Sequence, residues 1–153
     1  MKPTLTAKTS ISIDTSPAQV WKTITTPNLI KKYLMGTNVE TNWKEGSPIS
    51  YSGEYEGKKY SDKGTIIRLI PEKVFESTYW SSMSGKEDKP ENYNTVTYKF
   101  SKRNGKTVLT LSQDNIATEK EKQHSTKNWK MALKGLKKSL KANNLVFKIM
   151  HLI

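Results

Sequence analysis

Few side chains in this chain could carry acid–base, nucleophilic or metal chemistry, and their spacing is wrong for it. There are 153 residues, no cysteine and only two histidines, His124 and His151. Ser125 follows His124 and Asp114 precedes it, but neighbouring residues of one helix point about 100° apart and cannot share a proton as a catalytic pair must. No histidines and carboxylates recur at metal-ligand spacing. We therefore expect a non-enzymatic protein with no metal and no cofactor.

Paired carboxylates and glycines do not change that expectation. Glu54 and Glu56 alternate with tyrosines, and we interpret them as a solvated pair on the outer face of a strand. The eight glycines are never two residues apart, so the sequence has no G-x-G or P-loop fingerprint for a nucleotide.

The aromatic residues are the better candidates for a functional site. Strand alternation or helical phase predicts that five of them point inward: Tyr51, Tyr55, Tyr79, Tyr98 and Trp129. The choice of Tyr79 over its neighbour Trp80 depends on the parity assigned to that strand. Four leucines are candidate apolar walls beside them: Leu109, Leu111, Leu133 and Leu136. Tyrosine supplies an apolar ring and a polar handle, as a small-molecule pocket requires. Two alternatives stay open, a ligand-sized cavity and a core that these rings simply fill.

The elements that would position these residues follow from the period of the apolar residues. Alternation over 5–13 predicts a strand, and Ser16-Pro17 and Thr26-Pro27 begin two short helices. From residue 39 the period is two, and turns at Gly46, Gly57, Pro71 and Asn104-Gly105 separate about six further strands.

A long amphipathic helix over about 118–143 closes the chain. Its apolar stripe contains Trp129, Leu133, Leu136 and Leu140. Six lysines share a separate sector: Lys127, Lys130, Lys134, Lys137, Lys138 and Lys141. The chain is therefore expected to be one α+β domain over 1–143, an antiparallel sheet of six or seven strands curved around this helix. Residues 144–153 form a short apolar extension, too short to span a bilayer.

The charge is concentrated at the C-terminal end. The formal net charge is +12, and the eight lysines after Glu121 are accompanied by no acid. Such a surface favours anionic partners, although a solvated face is the plainer interpretation. Single-stranded nucleic acid would require exposed aromatics beside the lysines. Because none accompanies them, nucleic acid is an improbable partner and an acidic protein a better one.

Several motifs together resemble the activator of heat-shock-protein-90 ATPase homologue-like family of the START-like helix-grip superfamily, also called SRPBCC. Ile13, Pro17, Val20 and Trp21 resemble its opening I-x-x-x-P-x-x-V-W signature, and the strand of Thr107, Leu109 and Leu111 its T-x-L-x-L strand. The closing helix resembles G-W-x3-L-x2-L-K-x2-L, with Asn128 in place of the glycine.

The resemblance implies a helix-grip fold: a curved antiparallel sheet around a long C-terminal helix, with two short helices after the first strand. It also implies two functions. One is a binding module that holds a small hydrophobic molecule between sheet and helix, with a role in stress response. The alternative is a protein that interacts with a chaperone through its surface. Since no targeting segment begins the sequence, we expect a cytoplasmic protein.

Overall fold

The first strand and the two short helices begin at the residues that the sequence predicted. The computed structural model describes the backbone of residues 4–152 and the side chains of residues 4–141. Strand β1 (Leu5–Ile13) leads into helix α1 (Pro17–Ile24). Ser16 caps α1 by accepting a hydrogen bond from the Gln19 N–H at 3.2 Å, which satisfies one of the free N–H groups of the first turn. Helix α2 (Pro27–Tyr33) follows directly.

The rest of the chain up to residue 116 forms an antiparallel meander. Its strands are β2 (Asn38–Thr41), β3 (Pro48–Tyr55), β4 (Lys58–Ile70), β5 (Val74–Ser81), β6 (Asn94–Arg103) and β7 (Lys106–Ile116), with a 3-10 turn at Pro90–Asn92. The spatial order is β1-β7-β6-β5-β4-β3-β2, so β1 returns to pair with the last strand. The predicted α+β helix-grip fold is confirmed, with seven strands in the sheet.

Helix α3 (Glu119–Leu152) is longer than the sequence indicated. We predicted an end near Asn143 and a separate apolar extension over 144–153. The backbone instead stays helical to Leu152, because no glycine or proline follows Asn143 and each added residue contributes a hydrogen bond. The side chains of this segment lie outside the described residues. No described helix is long and apolar enough to cross a membrane.

Helix α3 packs chiefly against β1 and α2 and closes the concave side of the sheet. One part of the interior beneath it is filled by aliphatic side chains, each at most 2% exposed, which we call the aliphatic core: Val20, Ile24, Leu109, Leu111, Leu133, Leu136 and Leu140. These residues come from α1, β7 and the apolar stripe of α3.

Candidate ligand-binding site

A cavity of about 520 Å³ lies between β3–β6, α2 and the N-terminal half of α3. Six aromatic side chains line it: Tyr33, Tyr51, Tyr60, Tyr79, Tyr98 and Trp129. The volume falls within the roughly 300–1,000 Å³ that small-molecule pockets occupy. A second, more polar depression of about 830 Å³ adjoins it and shares Tyr79 and Trp129. We use "the cavity" for the first of these.

The aromatic walls are fixed by contacts with one another. Tyr51 and Tyr79 meet edge-on with ring centroids 5.8 Å apart, and Tyr98 lies edge-on to Trp129 at 6.4 Å. The indole Nε1 of Trp129 donates to Oε1 of Gln113 on β7 at 2.8 Å, which ties α3 to the sheet. Edge-to-face pairs and a satisfied indole N–H hold these rings in defined orientations.

Tyr60 needs a glycine beside it. A Cβ atom added at Gly53 would lie 2.5 Å from the Tyr60 hydroxyl oxygen, so the ring occupies space that only glycine leaves free. That hydroxyl is 2.5 Å from Oγ1 of Thr37, and the same Thr37 hydroxyl donates to the Leu34 carbonyl oxygen at 2.7 Å. Because the threonine proton is used there, Tyr60 is the donor in its pair with Thr37. The contact ties β4 to the segment between α2 and β2.

The cavity wall contains a buried carboxylate. Asp62 on β4 is 6% exposed and lies opposite Tyr51 of β3 in the strand register. Its Oδ2 accepts a hydrogen bond from the Tyr79 hydroxyl. Its Oδ1 is buried and has no hydrogen-bond partner among the described residues. Most buried polar atoms in folded proteins are paired, so this oxygen requires an explanation.

Four wall tyrosines have raised pKa values because they are buried. Burial raises the pKa of Tyr98 to about 12. Burial and the neighbouring Tyr98 raise the pKa of both Tyr33 and Tyr51. Burial raises the pKa of Tyr79 as well, and the negative charge of Asp62 adds to the effect. These hydroxyls therefore stay protonated at neutral pH and can donate hydrogen bonds.

The rim of the cavity is unusually apolar for an exposed surface. Met35, Tyr55, Met83 and Met131 border the cavity while being 70%, 56%, 50% and 46% exposed. They are among the few large hydrophobic side chains left in solvent in the described part of the chain. Flexible methionines can adapt to different apolar surfaces, so the rim provides an apolar entrance to the cavity.

Comparison with known proteins identifies the family. The family model described as "Activator of Hsp90 ATPase homolog 1-like protein" matches residues 14–141. The chain belongs to this family. No curated protein matches the chain.

Solved structures share the fold of this chain. A Cytophaga hutchinsonii protein determined in solution is 40% identical, with 94% of this chain and 98% of that chain covered and a TM-score of 0.81. The Aha1 dimer from Colwellia psychrerythraea is 19% identical over 89% of this chain and 96% of its own, with a TM-score of 0.71. Protein MLL2253 from Mesorhizobium loti is 18% identical over 90% and 98%, with a TM-score of 0.74. The last two likenesses concern the fold alone.

In this member of the activator family, four of the five predicted inward aromatics meet at the cavity: Tyr51, Tyr79, Tyr98 and Trp129. Tyr55 differs from the prediction. It shares the parity of Tyr51, but it is the last residue of β3 and borders the Glu56-Gly57 turn, and its side chain is 56% exposed. It therefore lies on the rim rather than in the wall.

The four predicted apolar walls lie elsewhere. Leu109, Leu111, Leu133 and Leu136 are at most 2% exposed and do not border the cavity. They belong to the aliphatic core, where side chains of β7 and α3 fill the interior. The expectation that they face a ligand is corrected, because helical phase predicts which side of α3 is buried but not which part of that side is hollow.

The lining residues that sequence reasoning missed include Tyr33, Tyr60 and Asp62. A signal for Asp62 was present, since it is in phase with the buried Ile66 four residues later on β4. Tyr33 is the last residue of α2, and nothing in the sequence shows that this helix borders a cavity. Tyr60 depends on the space at Gly53, a contact between neighbouring strands that periodicity does not reveal.

The six predicted lysines form one basic face of α3. Lys127, Lys130, Lys134, Lys138 and Lys141 are exposed, and Lys137 is half-buried. The ion pairs of the described residues join Lys63 to Asp88, Arg68 to Glu76 and Lys89 to Glu87, so none includes this face. We call these six residues the basic face.

Proposed function

We propose that this protein is a non-enzymatic binding module that holds a small hydrophobic molecule between the sheet and α3. The observation that carries the proposal is the aromatic cavity of about 520 Å³ with its few polar groups. An apolar ligand would remove the rings of Tyr51, Tyr79 and Trp129 from water, and each Å² of buried apolar surface contributes about 25 cal/mol. The apolar rim would admit such a ligand.

A neutral fluorescent probe, N-phenyl-1-naphthylamine, tests the proposal without knowledge of the natural ligand. Its emission rises when it leaves water, and we expect a saturable increase with one probe bound per chain. At 100 times its Kd, the probe should stabilise the fold by about 2.7 kcal/mol, measured as a higher Tm. An absence of saturable binding by this probe, together with an unchanged Tm across a library of lipids, sterols and aromatic compounds, would refute the proposal.

A cavity-filling variant locates the binding. Ala132 lies on α3 and borders the cavity, so Ala132→Phe should place a ring in the space that the probe needs. We expect the variant to fold and to lose probe binding. Ala18→Phe is the matched control, because Ala18 is an exposed residue of α1 away from the cavity. Equal probe binding by both variants would show that the probe lies elsewhere.

A second candidate function is interaction with a chaperone or another acidic protein through the basic face, within a stress response. The exposure of five of its six lysines favours it, as does the description of the family as activators of the Hsp90 ATPase. Reversing the charge of Lys130, Lys134 and Lys141 should weaken binding to the host's Hsp90 in pull-down and calorimetry, with stability changed by less than about 0.5 kcal/mol. Undiminished binding at low and high salt would leave the basic face as a solvated surface.

A further inference from the structure

We propose that the ligand carries a protonated amine, which donates a hydrogen bond to the carboxylate of Asp62 after a small movement of that buried side chain, while its apolar body fills the aromatic cavity. This inference rests on the proposed function and adds the chemical class of the ligand. Asp62 is 6% exposed, its Oδ2 is used by Tyr79, and its Oδ1 has no partner among the described residues. A carboxylate oxygen only accepts hydrogen bonds, so the missing partner is a donor.

The charges around the cavity favour a cationic donor. The chain contains 26 lysines and arginines, yet none of those described borders the cavity, whereas two acids, Asp62 and Glu54, do, together with His124 of α3. Lys86 and Lys120 border only the adjoining depression. Asp62 forms no ion pair with the described residues. An unpaired buried carboxylate is strongly unfavourable, and a charged partner with a good hydrogen bond offsets that cost best.

The aromatic walls favour the same ligand. Tyr79 donates to Asp62 and packs edge-on against Tyr51, the residue opposite Asp62 across β3 and β4. Aromatic faces attract cations, most strongly where water is excluded. The cavity therefore offers an amine a carboxylate and aromatic rings together, and offers the apolar body the remaining walls.

Matched ligands separate this inference from the proposed function. The probes are naphthylmethyl and n-octyl bodies, each carrying a primary alkyl amine that is protonated at pH 7, an alcohol or a carboxylate, and each competing with N-phenyl-1-naphthylamine at pH 7 and 150 mM salt. We expect each amine to bind about tenfold more tightly than its alcohol, the gain of one charge-assisted hydrogen bond. The carboxylates should bind most weakly, although the chain carries a net charge of +12.

Asp62→Asn should remove the preference for amines and leave the alcohols unchanged. Glu40→Gln, which removes one exposed negative charge away from the cavity, is the control and should keep the preference. Thermal unfolding verifies that each variant is folded, and Asp62→Ser replaces Asp62→Asn if the latter is not. Equal affinity of amines and alcohols, or a preference that survives the loss of the carboxylate, would overturn the inference and indicate a water molecule at Oδ1. If neither these probes nor the fluorescent competitor binds, the proposed function fails as well.

Discussion

The aliphatic core and the cavity lie beneath the same sheet and the same helix, but their side chains differ in kind. The core is built from Val, Ile and Leu that are at most 2% exposed. The cavity is lined by tyrosines and Trp129 together with other apolar and polar side chains, among them a buried carboxylate whose Oδ1 has no partner among the described residues. Aliphatic side chains pack without needing hydrogen bonds, whereas each tyrosine hydroxyl and carboxylate oxygen needs one. We therefore expect stability to be concentrated in the core, and the proposed ligand recognition in the cavity.

The largest expected effect is the loss of stability at alkaline pH, and it comes from the cavity. Tyr33, Tyr51, Tyr79 and Tyr98 have pKa values raised by burial, to about 12 for Tyr98, against about 10 in the unfolded chain. Their contribution is complete below pH 10 and is lost as pH rises toward the folded pKa. Each should lower the free energy of unfolding by about 1.4 kcal/mol per pH unit above pH 10.

Tyrosinate absorbance at 295 nm and circular dichroism, followed together, measure this effect. We expect the four buried tyrosines to ionise only as the chain unfolds. Tyr79→Phe should make the decline with pH shallower by about 1.4 kcal/mol per unit. Full ionisation near pH 10 in a chain with native circular dichroism would show that the wall tyrosines are solvated.

Truncating a side chain should lower stability more in the aliphatic core than on the rim of the cavity. Leu136→Ala in the aliphatic core should lower the free energy of unfolding by roughly 2–5 kcal/mol, because Leu136 is fully buried and its loss leaves a void. Met131→Ala, five residues earlier on α3, removes a side chain that is 46% exposed and should stay within about 0.5 kcal/mol. Urea denaturation measures both, and similar losses would contradict the distinction.

Enlarging a side chain should destabilise a tightly packed part of the interior more than the cavity. Ala7 on β1 is 1% exposed on the strand against which α3 packs, so Ala7→Leu should destabilise the fold by roughly 1–3 kcal/mol. Ala132→Leu adds the same three carbons beside empty space and should change stability by less than about 0.5 kcal/mol. Thermal unfolding of the two variants compares them. Equal destabilisation would mean that the space beside Ala132 is filled.

The smallest expected effect is a gain in the stability of the ligand-free protein. Asp62→Asn removes a buried carboxylate whose Oδ1 has no partner among the described residues, and the amide can still accept from Tyr79. We expect the ligand-free protein to become more stable by roughly 1 kcal/mol, as when function has been retained at the expense of stability. Glu40→Gln, an exposed change of the same charge, should have no such effect. A marked loss of stability in Asp62→Asn would mean that Asp62 serves the fold.

The sequence predicted the fold better than the site, for physical reasons. Period-two alternation and turn residues locate strands because they record which face is buried, and they placed β1 and β3 to within a residue or two. The same alternation predicted that Tyr55 points inward, because a period-two pattern does not show where a strand ends. Asp62 was overlooked because a carboxylate is ordinarily exposed. Whether an interior is filled or hollow depends on how α2, α3 and the sheet meet, which no single element's pattern records.

The most direct test of the central claim is a map of where the fluorescent probe binds. Amide and indole chemical shifts of ¹⁵N-labelled protein, titrated with N-phenyl-1-naphthylamine, report every region at once. We predict saturable shifts at Tyr51, Asp62 and Tyr79 and at the Trp129 indole, with Leu109 and Leu136 of the aliphatic core nearly unmoved. Shifts concentrated in the aliphatic core or along the basic face, or shifts that never saturate, would contradict a ligand site in the cavity.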